Sequence, residues 1–312
     1  MEAAAVSAGL PLAASERPCP VCGGTHRRPF LDARLDPARF TAATFASRKE
    51  PEFMRLPLAR CPDCDAVYAP RPPDPDFLAR AYAGASYDSG PEADRAGATY
   101  ARLLAPFLDA LTVRELAVDV GAGNGALLPH LLRAGFSRVV GIEPSREAIA
   151  AADPAVRPLL REGVFTPEAL REPGVGLVTV CMTLEHVPDP LALLRAAFAV
   201  LAPGGLAAVV VHDHGAPLNR LLGARSPIID VEHLQLFSRR SISAALARSG
   251  FTVLSARRFA NTYALGYWAR LLPLPASLKK PFLAGLETVG LDRLPVRLPV
   301  GNLLAVGRKP ES

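Results

Sequence analysis

Leu116-Ala117-Val118-Asp119-Val120-Gly121-Ala122-Gly123-Asn124-Gly125 is an apolar run that meets an acid and then breaks into three glycines at alternate positions. A short continuous apolar run closed by a glycine turn reads as a strand buried on both faces. The segments that follow alternate between helix and strand patterns. ALLPHLLRAG (126–135) reads as a helix, RVVGIE (138–143) as a second strand and PSREAIAAA (144–152) as a second helix. Further on come a strand at LVTVCMT (177–183), a helix at PLALLRAAFAVL (190–201), a turn at APGG (202–205) and a strand at LAAVVVHD (206–213). This βαβ repetition predicts an α/β fold, a doubly wound, mostly parallel sheet with right-handed crossovers. Ligands of such sheets lie beyond the carboxyl ends of the strands, where Gly121, Gly123 and Gly125 fall. Glycine there lets a ligand touch the backbone.

The turn GAGNGA also satisfies the dinucleotide fingerprint G-x-G-x-x-A, and Glu143, 20 residues past Gly123, stands where that fingerprint wants a ribose-binding acid. A dinucleotide reading leaves TLEHVPDP (183–190) and LAPGG (201–205) unexplained and supplies no hydride-transfer site. Taken in order, the segments Asp119 to Gly125, Glu143, Leu184-Glu185-His186-Val187-Pro188-Asp189-Pro190 and Leu201-Ala202-Pro203-Gly204-Gly205 resemble the motifs of class I S-adenosylmethionine-dependent methyltransferases. The resemblance implies a seven-stranded Rossmann-like sheet and S-adenosyl-L-methionine as cofactor. It implies that Asp119, Gly121, Ala122, Gly123 and Gly125 cradle the methionine and ribose portion, and that Glu143 accepts hydrogen bonds from both ribose hydroxyls. Two departures from the family pattern stand out: Val175-Gly176-Leu177 opens the fourth strand without an acid, and the acid that contacts adenine in relatives is not evident in REGVFTPE (161–168).

Four of the five cysteines form two pairs, Cys19 and Cys22 in CPVCGG, and Cys61 and Cys64 in CPDCDAVYAP. A two-residue gap lets a tight turn aim two sulfurs at one metal, and two such knuckles complete a tetrahedral structural Zn2+ site. Neither pair sits in a thioredoxin-like pattern, which argues against redox chemistry. The 38 residues between the pairs form an excursion longer than a usual finger loop. APRPPDPDF (69–77) then reads as a linker. These signals divide the chain into a disordered leader (1–18), a small zinc-binding module (19–73) and a methyltransferase domain (74–312).

After the linker, FLARAYAGASYD (77–88) has helical spacing and a break at Asp88 to Gly90. It is either a packing helix or a lid whose Tyr82 or Tyr87 faces a ligand, and Tyr87 joins the expected cofactor-binding set. The two knuckles, the PRPP linker, this segment and EHLQLFSRRSISAALARSGF (232–251) together resemble a bacterial subfamily linked to sugar, surface-glycan and natural-product methylation, from Cys19 to Arg308. A small-molecule methyl acceptor follows from that resemblance.

Methyl transfer needs alignment and a base for the acceptor's proton, which points to histidine. His186, His212 and His233 are the catalytic candidates, with Glu232 as a possible orienter of His233. The run His212-Asp213-His214 raises a metal alternative, but neighbours at a strand end point to opposite faces. Cys181 reads as core, because it lies in a strand without the proline that accompanies a cytosine-attacking thiolate. The segment 263–301, rich in Leu, Pro and basic residues, interrupts the expected final strand pair and reads as a substrate-pocket cap, ahead of a dimer face or a membrane contact.

Composition bounds the remaining classes. The chain is 312 residues long, 50% hydrophobic, with a formal charge of +5. Its basic residues are scattered arginines, with only four lysines, so no nucleic-acid footprint is expected. The fourth strand also ends in CMTLEH, not in the segment that stacks a flipped base. No run approaches the ~20 apolar residues of a spanning helix, so no stable membrane insertion is expected. An Ala-rich start carrying Glu2 and Glu16, without a signal pattern, gives a cytoplasmic expectation.

Overall fold

The computed structural model describes residues 10–39, 44–45, 52–87, 90–170 and 172–311. Residues 1–9 of the expected leader, and Asp88 and Ser89 of the expected helix break, lie outside the described residues. Strand β1 (Arg28–Leu31) pairs antiparallel with β2 (Leu58–Arg60), which pairs with β3 (Val67–Tyr68). Helix α1 (Pro75–Ala83) starts where the Asp74 side chain accepts from the Asp76 and Phe77 amides and Pro75 occupies the first turn. Then follow α2 (Gly90–Leu108), β4 (Leu116–Val120), α3 (Leu128–Arg133), β5 (Arg138–Glu143), α4 (Arg146–Ala150), β6 (Leu160–Glu162) and β7 (Val175–Cys181). Helix α5 (Pro190–Val200) is capped by Asp189. Beyond it lie β8 (Leu201–His212), α6 (Pro217–Leu222), β9 (Gln235–Leu236), α7 (Arg239–Arg248) and β10 (Thr252–Ala264). The last elements are α8 (Leu265–Arg270), α9 (Ala276–Thr288) and β11 (Pro295–Arg308).

The large sheet has seven strands in the order β10-β11-β8-β7-β4-β5-β6. Its five strands from β8 to β6 are parallel, and β11 runs antiparallel between β8 and β10. This is the doubly wound α/β sheet that the alternating pattern predicts. All five residues of β4 are buried, and they alternate between two cores. Leu116, Val118 and Val120 face α5 and α7 through Leu194 and Ile242. Ala117 faces α2 and α3 through Leu104 and Leu128. A sheet covered on both sides needs strands that are apolar throughout, which is why LAVDV could be read at sight.

Three local features differ from the sequence reading. The APGG turn lies within β8: pairing with β7 jumps from Val175↔Leu201 to Leu177↔Leu206, and Gly204 takes a left-handed φ of +77° as the extra residues loop out. Residues 263–301 do not interrupt the final strand pair. β10 and β11 stay paired out to Ala264↔Pro295, so this segment is the far end of one long hairpin tipped by α8 and α9. The described part of the expected leader is packed, with Leu10 buried and Leu12 bridged to Pro73.

The cause of that packing is Arg17. Its guanidinium donates to the carbonyls of Ala69 (3.0 Å), Pro188 (2.6 Å) and Leu234 (2.9 Å) and to Gln235 Oε1 (3.0 Å). Burial lowers its pKa to about 10, so it stays charged at neutral pH. The small sheet is likewise tied to the large one. Its order is β1-β2-β3-β9, and β9 comes from the EHLQLFS segment, with Val67↔Leu236 and Tyr68↔Gln235 in register.

Candidate functional site

The carboxyl ends of β4, β5, β7 and β8 open into a cavity of about 1240 Å³, reached by Val120, Glu143, Cys181 and His212. Gly121 and Gly123 line its first wall, Gly125 packs behind them against Val156, and all three take φ between +56° and +74°. A Cβ at Gly121 would meet Thr183 Oγ1 at 2.2 Å, so both conformation and space demand glycine there. The Gly121 and Ala122 amides donate to the Ile142 carbonyl (2.8 and 3.2 Å), fixing the turn to the end of β5.

Glu143, 8% exposed, spans the same turn. Its Oε2 accepts from the Gly123 amide (2.7 Å) and its Oε1 from the Ser145 amide (2.8 Å). Burial pushes its carboxyl above the usual range while these two amides oppose the shift. Each oxygen keeps a further lone pair for a ligand donor. The Tyr87 ring lies over the turn, about 3.5 Å from where a Gly123 Cβ would stand.

Asp119 is buried at the end of β4 and accepts from Thr179 Oγ1 (2.6 Å). Burial raises its pKa to about 7, with the Glu143 charge adding to the shift. The sign of the consequence is definite. Between the ordinary value of 3.8 and about 7 the folded chain holds a proton that the unfolded chain has released, so stability falls as pH rises through that window. Asp119→Asn is expected to flatten this fall in a denaturant-midpoint series across the window; an unchanged slope would place the titration elsewhere.

The opposite wall carries His186, His212 and His233, which the sequence offered as alternatives and the fold brings together. The His233 ring stands 4.8 Å from that of His186 and 5.3 Å from that of His212, centroid to centroid. Each imidazole has a different partner. His186 Nδ1 meets the Tyr82 hydroxyl at 3.2 Å. His233 Nδ1 donates to the Ile228 carbonyl at 2.8 Å, so a main-chain oxygen holds the position expected of Glu232. Burial keeps His233 neutral, well below the usual histidine range, and its two histidine neighbours add to the effect.

His212 meets Glu185 instead. Glu185 Oε1 accepts from the His212 amide (2.7 Å) and lies 3.2 Å from its Nδ1. Glu185 is fully buried and its Oε2 has no hydrogen-bond partner. Its carbonyl accepts from the Leu234 amide (2.9 Å), so this one residue joins the loops that carry all three histidines. The neighbours of His212 diverge as a strand end requires. Asp213 pairs with Arg258 (2.6 Å), and His214 Nε2 donates to the Asp65 carbonyl (2.8 Å). Cys181 lines the cavity at the end of β7, and burial pushes its thiol up, away from a nucleophilic thiolate.

Behind this wall stand the two cysteine knuckles, built alike. In each, the first cysteine's carbonyl accepts from the residue four on (Gly23 to Cys19, Asp65 to Cys61), and its amide donates to the carbonyl five on (Gly24, Ala66). Gly23 and Asp65 both take left-handed φ, +75° and +71°, to close the turn. All four sulfurs lie within 4.8 Å of one another, with Cys19 and Cys64 at 3.5 Å and Cys22 and Cys61 at 3.4 Å. Tetrahedral bonds of ~2.3 Å to zinc would set sulfurs ~3.8 Å apart, close to this spacing.

A family model described as a methyltransferase domain matches residues 93–256, just over half of the chain, including the glycine turn, Glu143 and all three histidines. The chain belongs to the class I S-adenosylmethionine-dependent methyltransferase family. It is similar to the ubiquinone biosynthesis O-methyltransferase of Ralstonia nicotianae, 44% identical over 97 residues, covering 28% of this chain and 39% of that protein. The protein of the same name from Cupriavidus pinatubonensis is 38% identical over 116 residues, covering 34% of this chain and 43% of the relative. The chain thus spans about two fifths of the length of the curated relatives it matches. Among solved structures, an S-adenosylmethionine-dependent methyltransferase from Mesorhizobium loti matches with a TM-score of 0.40 at 22% identity, covering 65% of this chain and 96% of that one.

Several residues of this methyltransferase-family site were invisible to sequence reasoning. Glu185 was seen only as the neighbour of His186, and Arg17 was lost in the leader. Asn261 is fully buried at the bulge in β10 and lines the cavity, with its amide against the Tyr100 hydroxyl. Its strand, TVLSARRFANTYA, carries polar residues at many positions, so nothing in the sequence singles this one out. The hairpin tip supplies the remaining apolar wall, with Tyr263, Tyr267, Trp268 and Leu298.

Proposed function

We propose that this chain methylates a hydroxyl group of a small-molecule acceptor, using S-adenosylmethionine. The observation that carries the reading is that one cavity joins the glycine turn and Glu143 on one wall to three imidazoles on the other. When bound, the cofactor supplies a methyl group already activated on a sulfonium. In this reading Gly121, Ala122, Gly123 and Gly125, with Asp119, seat its methionine and ribose portion. Glu143 accepts from the ribose hydroxyls through lone pairs that its amide donors leave free, and Tyr87 covers the turn.

His212 is the base of this proposal. A carboxylate only accepts, so Glu185 fixes the hydrogen on His212 Nδ1 and turns the lone pair of Nε2 toward the acceptor. His212 Nε2 would take the acceptor hydroxyl's proton as its oxygen is methylated, the methyl–sulfur bond of the sulfonium breaking to leave S-adenosylhomocysteine. His233, kept neutral by burial, and His186, tied to Tyr82, shape the acceptor's seat.

The name of the curated relatives supports oxygen as the methylated atom. The aromatic and aliphatic wall from the hairpin tip supports a natural-product intermediate with an apolar body over a bare sugar or glycan, and the Asn261 amide suits one polar group on that body. Residues 19–73 would act as a structural zinc module, with 263–301 capping the pocket of a transferase domain from residue 74. Four thiols kept reduced for zinc suit a cytoplasmic setting. Co-crystallisation with S-adenosylhomocysteine tests the whole arrangement: the ribose is expected on Glu143 with the sulfur facing His212, and a sulfur turned away from the histidines would refute it.

A further inference from the structure

We infer that the tip of the β10–β11 hairpin docks this protein on the surface of an anionic lipid bilayer. The inference does not rest on the methyl-transfer reading. Between Leu272 and Leu294 seven large apolar side chains are exposed, among them Leu278 (59%), Val289 (64%) and Leu294 (48%). Leu278, Phe282 and Val289 follow one another at four and seven residues along α9 and its cap, which places them on one side of the helix. None of the described residues of α9 is buried. A cluster of this kind is far more than the scattered apolar exposure of an ordinary surface.

Charge decides what covers it. From Arg270 to Arg297 the tip has five basic residues against two acidic ones, and it holds two of the four lysines in the chain. Lys280 and Arg297 are exposed, and the Arg293 side chain is 92% exposed. Lys279 Nζ donates to the Arg270 carbonyl, so it is held within the tip. A second copy of the chain would bring the same positive rim against itself across a two-fold contact. An anionic bilayer offers an apolar interior for the leucines and negative headgroups for the rim. Leu272 and Phe282 are exposed and also line the cavity, so an apolar molecule could pass from bilayer to cavity without crossing water.

The test is flotation of the full chain with vesicles of phosphatidylcholine alone or with about 30 mol% phosphatidylglycerol. Binding is expected to be at least tenfold (~10×) greater on the anionic vesicles and to fall as salt is raised. Leu278→Glu and the double variant Lys280→Glu/Arg293→Glu are each expected to weaken it more than about fivefold, with unchanged circular dichroism. Equal binding to both vesicles, or undiminished binding by the double variant, would overturn the inference. So would a wild-type dimer in sedimentation that Leu278→Glu converts to monomer, which would assign the patch to a second copy.

Discussion

Replacing Cys61 by serine is expected to abolish zinc binding by the four-cysteine cluster and to collapse the small sheet around β1, β2 and β3. Structural zinc sites contribute about 10–16 kcal/mol in isolated finger peptides, far more than any single side-chain contact. Here part of that stabilisation is shared with the large domain, because Cys19, Cys61 and Cys64 pack in the same core as α5 and α7. The loss should therefore spread. β9 loses β3 as its partner, and the loops held by Arg17 and by the His214 contact to Asp65 lose their support. A drop of more than roughly 10 °C in melting temperature is expected, with zinc falling from about one per chain to none. Purified wild-type protein without zinc, or a Cys61→Ser variant with wild-type melting, would contradict the assignment. The effect should reach the histidine wall too, since Arg17 binds the carbonyl of Pro188, two residues from His186, and that of Leu234, beside His233.

Glu185→Gln is expected to lower kcat by about 10²-fold or more while leaving cofactor affinity within about twofold. The amide can still accept from the His212 main chain, so the loop should hold, but the negative charge that favours an imidazolium is lost. With labelled S-adenosylmethionine and an acceptor that supports turnover, a fall in kcat at unchanged KM separates a positioning role from a merely structural one, and Glu185→Asp, which keeps the charge, should recover part of the lost rate. Wild-type kcat in Glu185→Gln would remove Glu185 from this role.

The contrast between what could and could not be read from sequence has a physical basis. β4 and its glycine turn were legible because a strand buried on both faces is apolar throughout, and because three left-handed positions in five residues admit little but glycine. The knuckles were legible because their geometry is local, closed within six residues. Contacts between distant segments left no such trace. Glu185 and His212 are 27 residues apart, and Arg17 reaches carbonyls 171 and 217 residues away. β9 is a two-residue strand, too short to show an alternation, so its pairing with β3 had no signature. The hairpin tip was misread because a segment rich in Leu, Pro and basic residues shows no strand alternation, whereas the β10–β11 ladder extends to Ala264↔Pro295. Asn261 is aimed by a bulge whose position no pattern in SARRFANTYA announces.

The central claim is that the glycine turn and the Glu143 carboxylate bind the adenosyl cofactor. Titration calorimetry of S-adenosylhomocysteine into wild-type protein and Glu143→Ala addresses it without knowledge of the acceptor. A saturable site near one per chain is expected for the wild type, weakened at least about 30-fold in the variant, roughly 2 kcal/mol, with the melting curve confirming a folded chain. Equal affinity in both proteins, or no heat with the wild type, would contradict it.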